Sequence, residues 1–105
     1  MIAFAIAAAV IEAEPVTTAA AACEIVKQRH SARYNYPVSA ISACDIIPAA
    51  RSPHGYYVLA LHSTRKCEGI CSTNMGWFAV QQSTGRMFDW DIAEWRLGGP
   101  FKSRP

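Results

Sequence analysis

Side chains able to do chemistry are few in this chain of 105 residues, and they fall into no single motif. Asp89 and Asp91 alternate around Trp90, which on a strand points both carboxylates to one face. Paired carboxylates act as acid and base in glycoside hydrolysis when one pKa is raised and both line a cleft. His54 and His62 are the histidines that could serve beside them as bases; Glu94 stands close by at the opposite parity. The enzyme reading therefore rests on His54, His62, Asp89 and Asp91, as a small hydrolase or metal-dependent enzyme. A hairpin face outside any cleft favours a plainer view, in which the aspartates are the wet side of a sheet. With Trp77 and Trp95 as aromatic anchors, Trp77, Asp89, Asp91 and Trp95 would instead form a recognition patch.

Cys23, Cys44, Cys67 and Cys71 make an even set. Cys67 and Cys71 with His62 or His54 have the ligand types of a zinc site, but the second ligand pair such a site needs is dispersed. No signature locates a thiol nucleophile. In a short exported chain an even set pairs as disulfides. The pairing expected is Cys23 with Cys44, stapling a helix to a strand, and Cys67 with Cys71, closing a small ring with Gly69 easing the turn. Two other connectivities, and a free Cys23 packed as a small hydrophobe, stay open. The connection from Thr64 to Asn74 exceeds the roughly two to five residues usual in hairpins. Braced in this way, it would present Arg65, Lys66, Glu68 and Ile70 to a partner with less ordering cost.

Export is suggested by the start of the chain. Residues 2–11 are an uncharged apolar run, and Ile11-Glu12-Ala13 ends on the small residue that a cleavage site requires. Residues 1–13 are therefore expected to be a signal peptide, though one without a basic leading region, and 14–105 a single domain. The run is too short for a membrane span, which takes about 20 residues. A net charge of +2, with no basic cluster interleaved with aromatics, argues against nucleic acid. No cofactor motif is present, and the oligomeric state is left open.

The elements that must position these groups can be placed in order. Thr17 or Thr18 caps a helix expected to run to about His30, with Ala19, Ala22, Cys23 and Val26 as its apolar stripe. Lys27, Arg29 and His30 read as its solvated basic end. A strand is expected from Val38 to Ile47, then a loop over residues 49–55. A central strand follows over Tyr56–Ser63, with Tyr57, Leu59 and Leu61 on one face. Gly76–Gln82 and Arg86–Ile92 form a hairpin about Ser83-Thr84-Gly85. A three-residue loop with Gly85 left-handed would set Gln82 opposite Arg86, Val80 opposite Phe88 and Phe78 opposite Trp90. Ala93–Leu97 prolongs that last strand, and Gly98-Gly99-Pro100 ends it. The fold class is α+β: one N-terminal helix packed on a three- to four-stranded antiparallel sheet, α-β-β-β-β.

Gly76-Trp77-Phe78-Ala79-Val80, Thr84-Gly85-Arg86-Met87 and Trp90-Asp91 together resemble the terminal hairpin of PepSY-like domains, small extracytoplasmic modules with a helix on an antiparallel sheet. The resemblance implies a binding or inhibitory module of the cell envelope and transfers no catalytic residue. The expectation is an exported, disulfide-stabilised binding module, periplasmic or secreted. It would be an inhibitor or immunity-type protein acting on a cell-envelope enzyme, with no membrane span in the mature chain.

Overall fold

The computed structural model describes residues 14–63 and 73–102. The expected leader, residues 1–13, lies outside the described residues, as do Arg65, Lys66, Cys67, Glu68, Ile70 and Cys71. Thr18 is extended and accepts the Ala21 N–H on its side-chain oxygen at 3.1 Å, satisfying one of the orphan donors of a helix start. From it α1 runs over Ala19–Tyr34, a turn beyond the expected end. Nothing in Ser31-Ala32-Arg33-Tyr34 breaks a helix. The stop is Asn35, which takes φ 56° and ψ 59°, so that its N–H and that of Tyr36 both meet the Ser31 carbonyl. The expected stripe is buried at Ala22, Cys23 and Val26 and continues into His30 and Ser31. His30 follows Val26 by four residues and shares its face. It is a core residue, not part of a solvated basic end.

Val38–Ala40 form a 3-10 turn, so the first strand is shorter than expected: β1 is Ile41–Ile46. A second 3-10 turn occupies Ala49–Arg51. Then β2 (Tyr56–Ser63), β3 (Asn74–Gln81), β4 (Met87–Asp91) and β5 (Arg96–Pro100) complete an antiparallel meander in chain order. The architecture is α+β, one helix packed on an antiparallel sheet, with five strands rather than three or four. The fifth arises because residues 93–97 do not prolong β4. Asp91 Oδ1 accepts the N–H groups of Ala93 at 3.0 Å and Glu94 at 2.9 Å, and Trp95 turns left-handed at φ 54°. The chain reverses there, and Gly98-Gly99-Pro100 lie within β5, whose Arg96 and Leu97 pair with Asp91 and Trp90.

The β3–β4 register is one residue away from the expected one. Gln81, not Gln82, stands across from Arg86: its N–H donates to the Arg86 carbonyl at 2.9 Å. Thr84 Oγ1 donates to Gln81 Oε1 at 2.6 Å and accepts the Arg86 N–H at 3.1 Å, which fixes a four-residue loop. Gly85 is left-handed as expected, at φ 76°. Val80 therefore pairs with Met87, Ala79 with Phe88 and Phe78 with Asp89. A slip of one residue exchanges the faces of a strand, so Phe88 and Trp90 lie opposite the face that holds Phe78 and Val80. The expected register rested on one apolar and one mixed face. Both faces of this sheet are apolar, so that criterion could not choose.

On the helix side, Ala22, Cys23 and Val26 pack with Leu59, Leu61, Phe78, Val80 and Met87, joined by Val16 and Ile41. Leu59, Leu61, Val26 and Val80 are fully buried, each contributing about 1.5–3 kcal/mol relative to exposure. A disulfide joins Cys23 to Cys44 with their Cα atoms 6.2 Å apart, tying α1 to the edge strand β1. The opposite face carries a second cluster of Val58, Ala79 and Trp90, bordered by Tyr56, Trp77, Phe88, Trp95 and Leu97. No helix of the described residues covers it.

Candidate functional site

The uncovered face is held together by its own aromatic rings. Trp95 stands edge-on to Trp90, with centroids 5.3 Å apart at 90°, and 6.4 Å from Trp77. Tyr56 meets Phe88 at 6.0 Å. Such T-shaped contacts contribute about 0.5–1.5 kcal/mol beyond burial of area. Trp95 reaches this position because the left-handed turn after β4 folds it back across the sheet. Its Nε1–H donates to the Arg51 carbonyl at 3.0 Å, joining the β4–β5 turn to the Ala49–Arg51 turn. The Arg51 guanidinium then lies 5.3 Å from the centre of the Trp95 ring, within cation–π range.

Between these two turns opens a cleft of about 410 Å³, lined by Arg51, Tyr56, Trp90, Trp95, Arg96 and Leu97 among others. A few hundred Å³ with apolar walls and a few polar groups is the usual character of a ligand site. Two arginines border it, and no Asp or Glu lines it. Trp90, 6% exposed, has a buried Nε1 without a hydrogen-bond partner among the described residues. An unmet donor in a folded interior is uncommon and calls for an explanation.

The residues expected to do chemistry are partly dispersed. Trp77 and Trp95 meet on the open face. Asp91 uses Oδ1 to hold the β4–β5 turn, and Asp89 pairs across from Phe78, away from the tryptophan register. His54 precedes β2 while His62 lies near its other end. The six steps of extended chain from Tyr56 to His62 alone span roughly 20 Å, so the two histidines do not converge on one site. His62 has other company. Its Nε2 lies 2.8 Å from Asp45 Oδ2 on β1, and its Nδ1 3.2 Å from Thr73 Oγ1 beside β3.

The third histidine, His30, is buried on the helix side. His30 Nδ1 and the Tyr36 hydroxyl are 2.6 Å apart, and the rings of Tyr34, Tyr36, Phe78 and Phe101 surround the imidazole at 4.8–6.2 Å. Burial lowers its pKa from the ordinary 6.5, while a hydrogen bond to the Met75 backbone acts the other way. Burial likewise raises the pKa of Tyr36. Among the described residues, no group of three or more His, Cys, Asp or Glu side chains could hold a metal ion. No helix of the described residues is long and apolar enough to cross a membrane.

Arg51, Arg96, Asp45 and Thr73 were not singled out by sequence. Arg51 and Trp95 are 44 residues apart, and no local pattern announces a contact at that distance. Phe88 and Trp90 were legible as apolar, but the face they occupy depends on the register. No protein-family model matches the chain, and no match was found among curated proteins or solved structures.

Proposed function

We propose that this chain is an exported, disulfide-stabilised binding module, an inhibitor or immunity-type protein that acts on a cell-envelope enzyme and docks through the open face of its sheet. The observation that carries the reading is the layer of Tyr56, Trp77, Trp90 and Trp95 on a face that no helix of the described residues covers. Tryptophan, tyrosine and arginine are the residue types that dominate protein interfaces. The Cys23–Cys44 disulfide suits an oxidising compartment. The connection that carries Arg65, Lys66, Glu68 and Ile70, closed by a Cys67–Cys71 bond under this reading, would add a second contact.

Photocrosslinking in cells that make the protein tests the docking face. A photoreactive residue in place of Trp77 is expected to capture one envelope enzyme, which the purified protein then inhibits. The same residue in place of Gln28, exposed on α1, is expected to capture nothing. Capture from both positions alike, or a captured enzyme that is not inhibited, would overturn the reading. Intact mass of the mature protein tests export: residues 1–13 should be gone, and four thiols should react only after reduction.

One observation favours a second reading, a small hydrolase. Asp45, His62 and Thr73 stand in the order carboxylate, imidazole, hydroxyl that activates a nucleophile. The Asp45 side chain is 69% exposed, and these three residues do not line the aromatic cleft, so this reading ranks second. Labelling of Thr73 by a fluorophosphonate, lost in His62→Ala, would bring it to the front.

A further inference from the structure

We infer that β1, one edge of the sheet, accepts a further antiparallel strand from a partner polypeptide: an extended segment with a basic residue across from Asp45 and an apolar residue on either side of it. This surface is separate from the open face, and the inference goes beyond the docking reading above. Backbone geometry is its first ground. The Ile47 N–H donates to the Val58 carbonyl at 2.9 Å, and in step with it Asp45 pairs with Ala60 and Ala43 with His62. In an antiparallel ladder the N–H and C=O of alternate residues point to opposite sides, so those of Cys44 and Ile46 point out from the sheet. Among the described residues nothing bonds to them. Such an edge is a template for another strand. The opposite edge is closed. There the Phe101 N–H donates inward to the Met87 carbonyl at 2.9 Å, so Pro100 before it faces outward with no N–H to offer. β1 has no proline within Ile41–Ile46, and its bulge is confined to the stretch from Ile41 to Ala43.

Side-chain parity says what the added strand carries. Cys44 and Ile46 pack against the helix-side core, so Asp45 between them points to the other face, where its side chain is 69% exposed. Residues set beside Cys44 and Ile46 would prolong that core and should be apolar. The residue across from Asp45 falls in a non-hydrogen-bonded pair, where side chains approach most closely. His62 Nε2 meets Asp45 Oδ2 at 2.8 Å, and among the described residues Oδ1 has no bond. A lysine or arginine on the incoming strand answers it. The same charge argues against a second copy as the occupant. Self-pairing through Cys44 and Ile46 would set two Asp45 carboxylates directly across from each other, and like charges in that position are destabilising.

The test uses the oxidised protein labelled with 15N and three probes: acetyl-Thr-Val-Lys-Val-Thr-amide, the same peptide N-methylated at both valines, and the peptide with Glu in place of Lys. Binding is followed by the backbone amides of Cys44 and Ile46, with the Trp77 indole N–H as a marker of the open face. The first peptide is expected to shift both amides saturably and to slow their hydrogen exchange. N-methylation keeps the side chains but removes two ladder donors, and should weaken binding at least about tenfold. The Glu peptide should bind about threefold to tenfold more weakly than the Lys peptide. Asp45→Asn should bring the two within about twofold, and Asp45→Lys should reverse their order. Equal binding of the N-methylated peptide overturns the added strand, and equal binding of the Lys and Glu peptides to the parent overturns the basic partner. Shifts at the Trp77 indole without shifts at Cys44 and Ile46 would place the peptide on the open face and overturn the edge. Shifts of the two amides on concentrating the protein alone would give the edge to a second copy and overturn the partner segment. No shift with any probe at ~10 mM overturns the inference, and the crosslinking experiment decides the open face separately.

Discussion

His30 shows how much one side chain depends on where the chain goes after it. A neutral ring accepts from the Tyr36 hydroxyl at Nδ1 and keeps its one proton for the Met75 backbone; a protonated ring would put a donor against Tyr36 and a charge among four aromatic rings. The folded pKa accordingly lies below the ordinary 6.5 of the unfolded chain. Below that pH the unfolded chain takes up the proton first. Stability is therefore complete above the unfolded value and is lost as pH falls from it towards the lowered folded one. Melting temperature should hold steady above about pH 7 and decline below about pH 6.5, and His30→Gln should flatten that decline although it lowers stability overall. A variant as pH-sensitive as the parent would assign the titration elsewhere. The sequence showed a histidine near a helix end, where a charge is welcome. It could not show that the helix runs on to Tyr34, or that Tyr36 and Phe101 close over the ring.

At the scale of elements, local chemistry was readable and pairing was less so. The cap at Thr18, the stripe of Ala22, Cys23 and Val26, and the alternation of Tyr57, Leu59 and Leu61 are set by neighbours in sequence, and the structure has all three. Gly85 was identified as the left-handed residue of its turn, yet the register still differed by one, because Thr84 and Gln81 bond to each other and lengthen the loop. The reversal at Asp91 was equally hidden, since an aspartate that holds a turn looks in sequence like one that faces water. Cys23–Cys44 was anticipated among several pairings. The bond closes a sequence separation of 21 residues, for which chain entropy gives roughly 3 kcal/mol. The double variant Cys23→Ala, Cys44→Ala should lose about that free energy in urea unfolding, with a slope equal to or somewhat steeper than the parent's because the untied unfolded chain exposes more surface. A larger loss with a shallower slope would mean that α1 leaves the sheet once it is untied.

For the whole molecule, the described chain begins with a segment that belongs to the fold. The Glu14 N–H donates to the Thr84 carbonyl at 3.1 Å and the Val16 N–H to the Gln82 carbonyl at 2.7 Å. Val16 is buried in the helix-side core. A Cβ on Gly85 would come within 3.0 Å of the Glu14 carbonyl, so the hairpin loop and this segment fit against each other. Burying Val16 contributes about 1.5–3 kcal/mol and each hydrogen bond about 1 kcal/mol, which the cost of ordering three residues, about 1–2 kcal/mol each, largely offsets. The apolar term is an upper estimate, so the net expected is at most about 2 kcal/mol. Cleavage after Ala13 would leave the segment whole, whereas cleavage a few residues later would remove it. A chain starting at Glu14 should therefore match the longest chain in urea unfolding, and one starting at Thr17 should fall below it by that net amount. Equal stability of the two shorter chains would make residues 14–16 dispensable, and the position of a signal-peptide cut could then no longer be argued from the fold. A deficit confined to the Thr17 chain means that only a cleavage leaving Glu14 in place would keep the full stability of the fold.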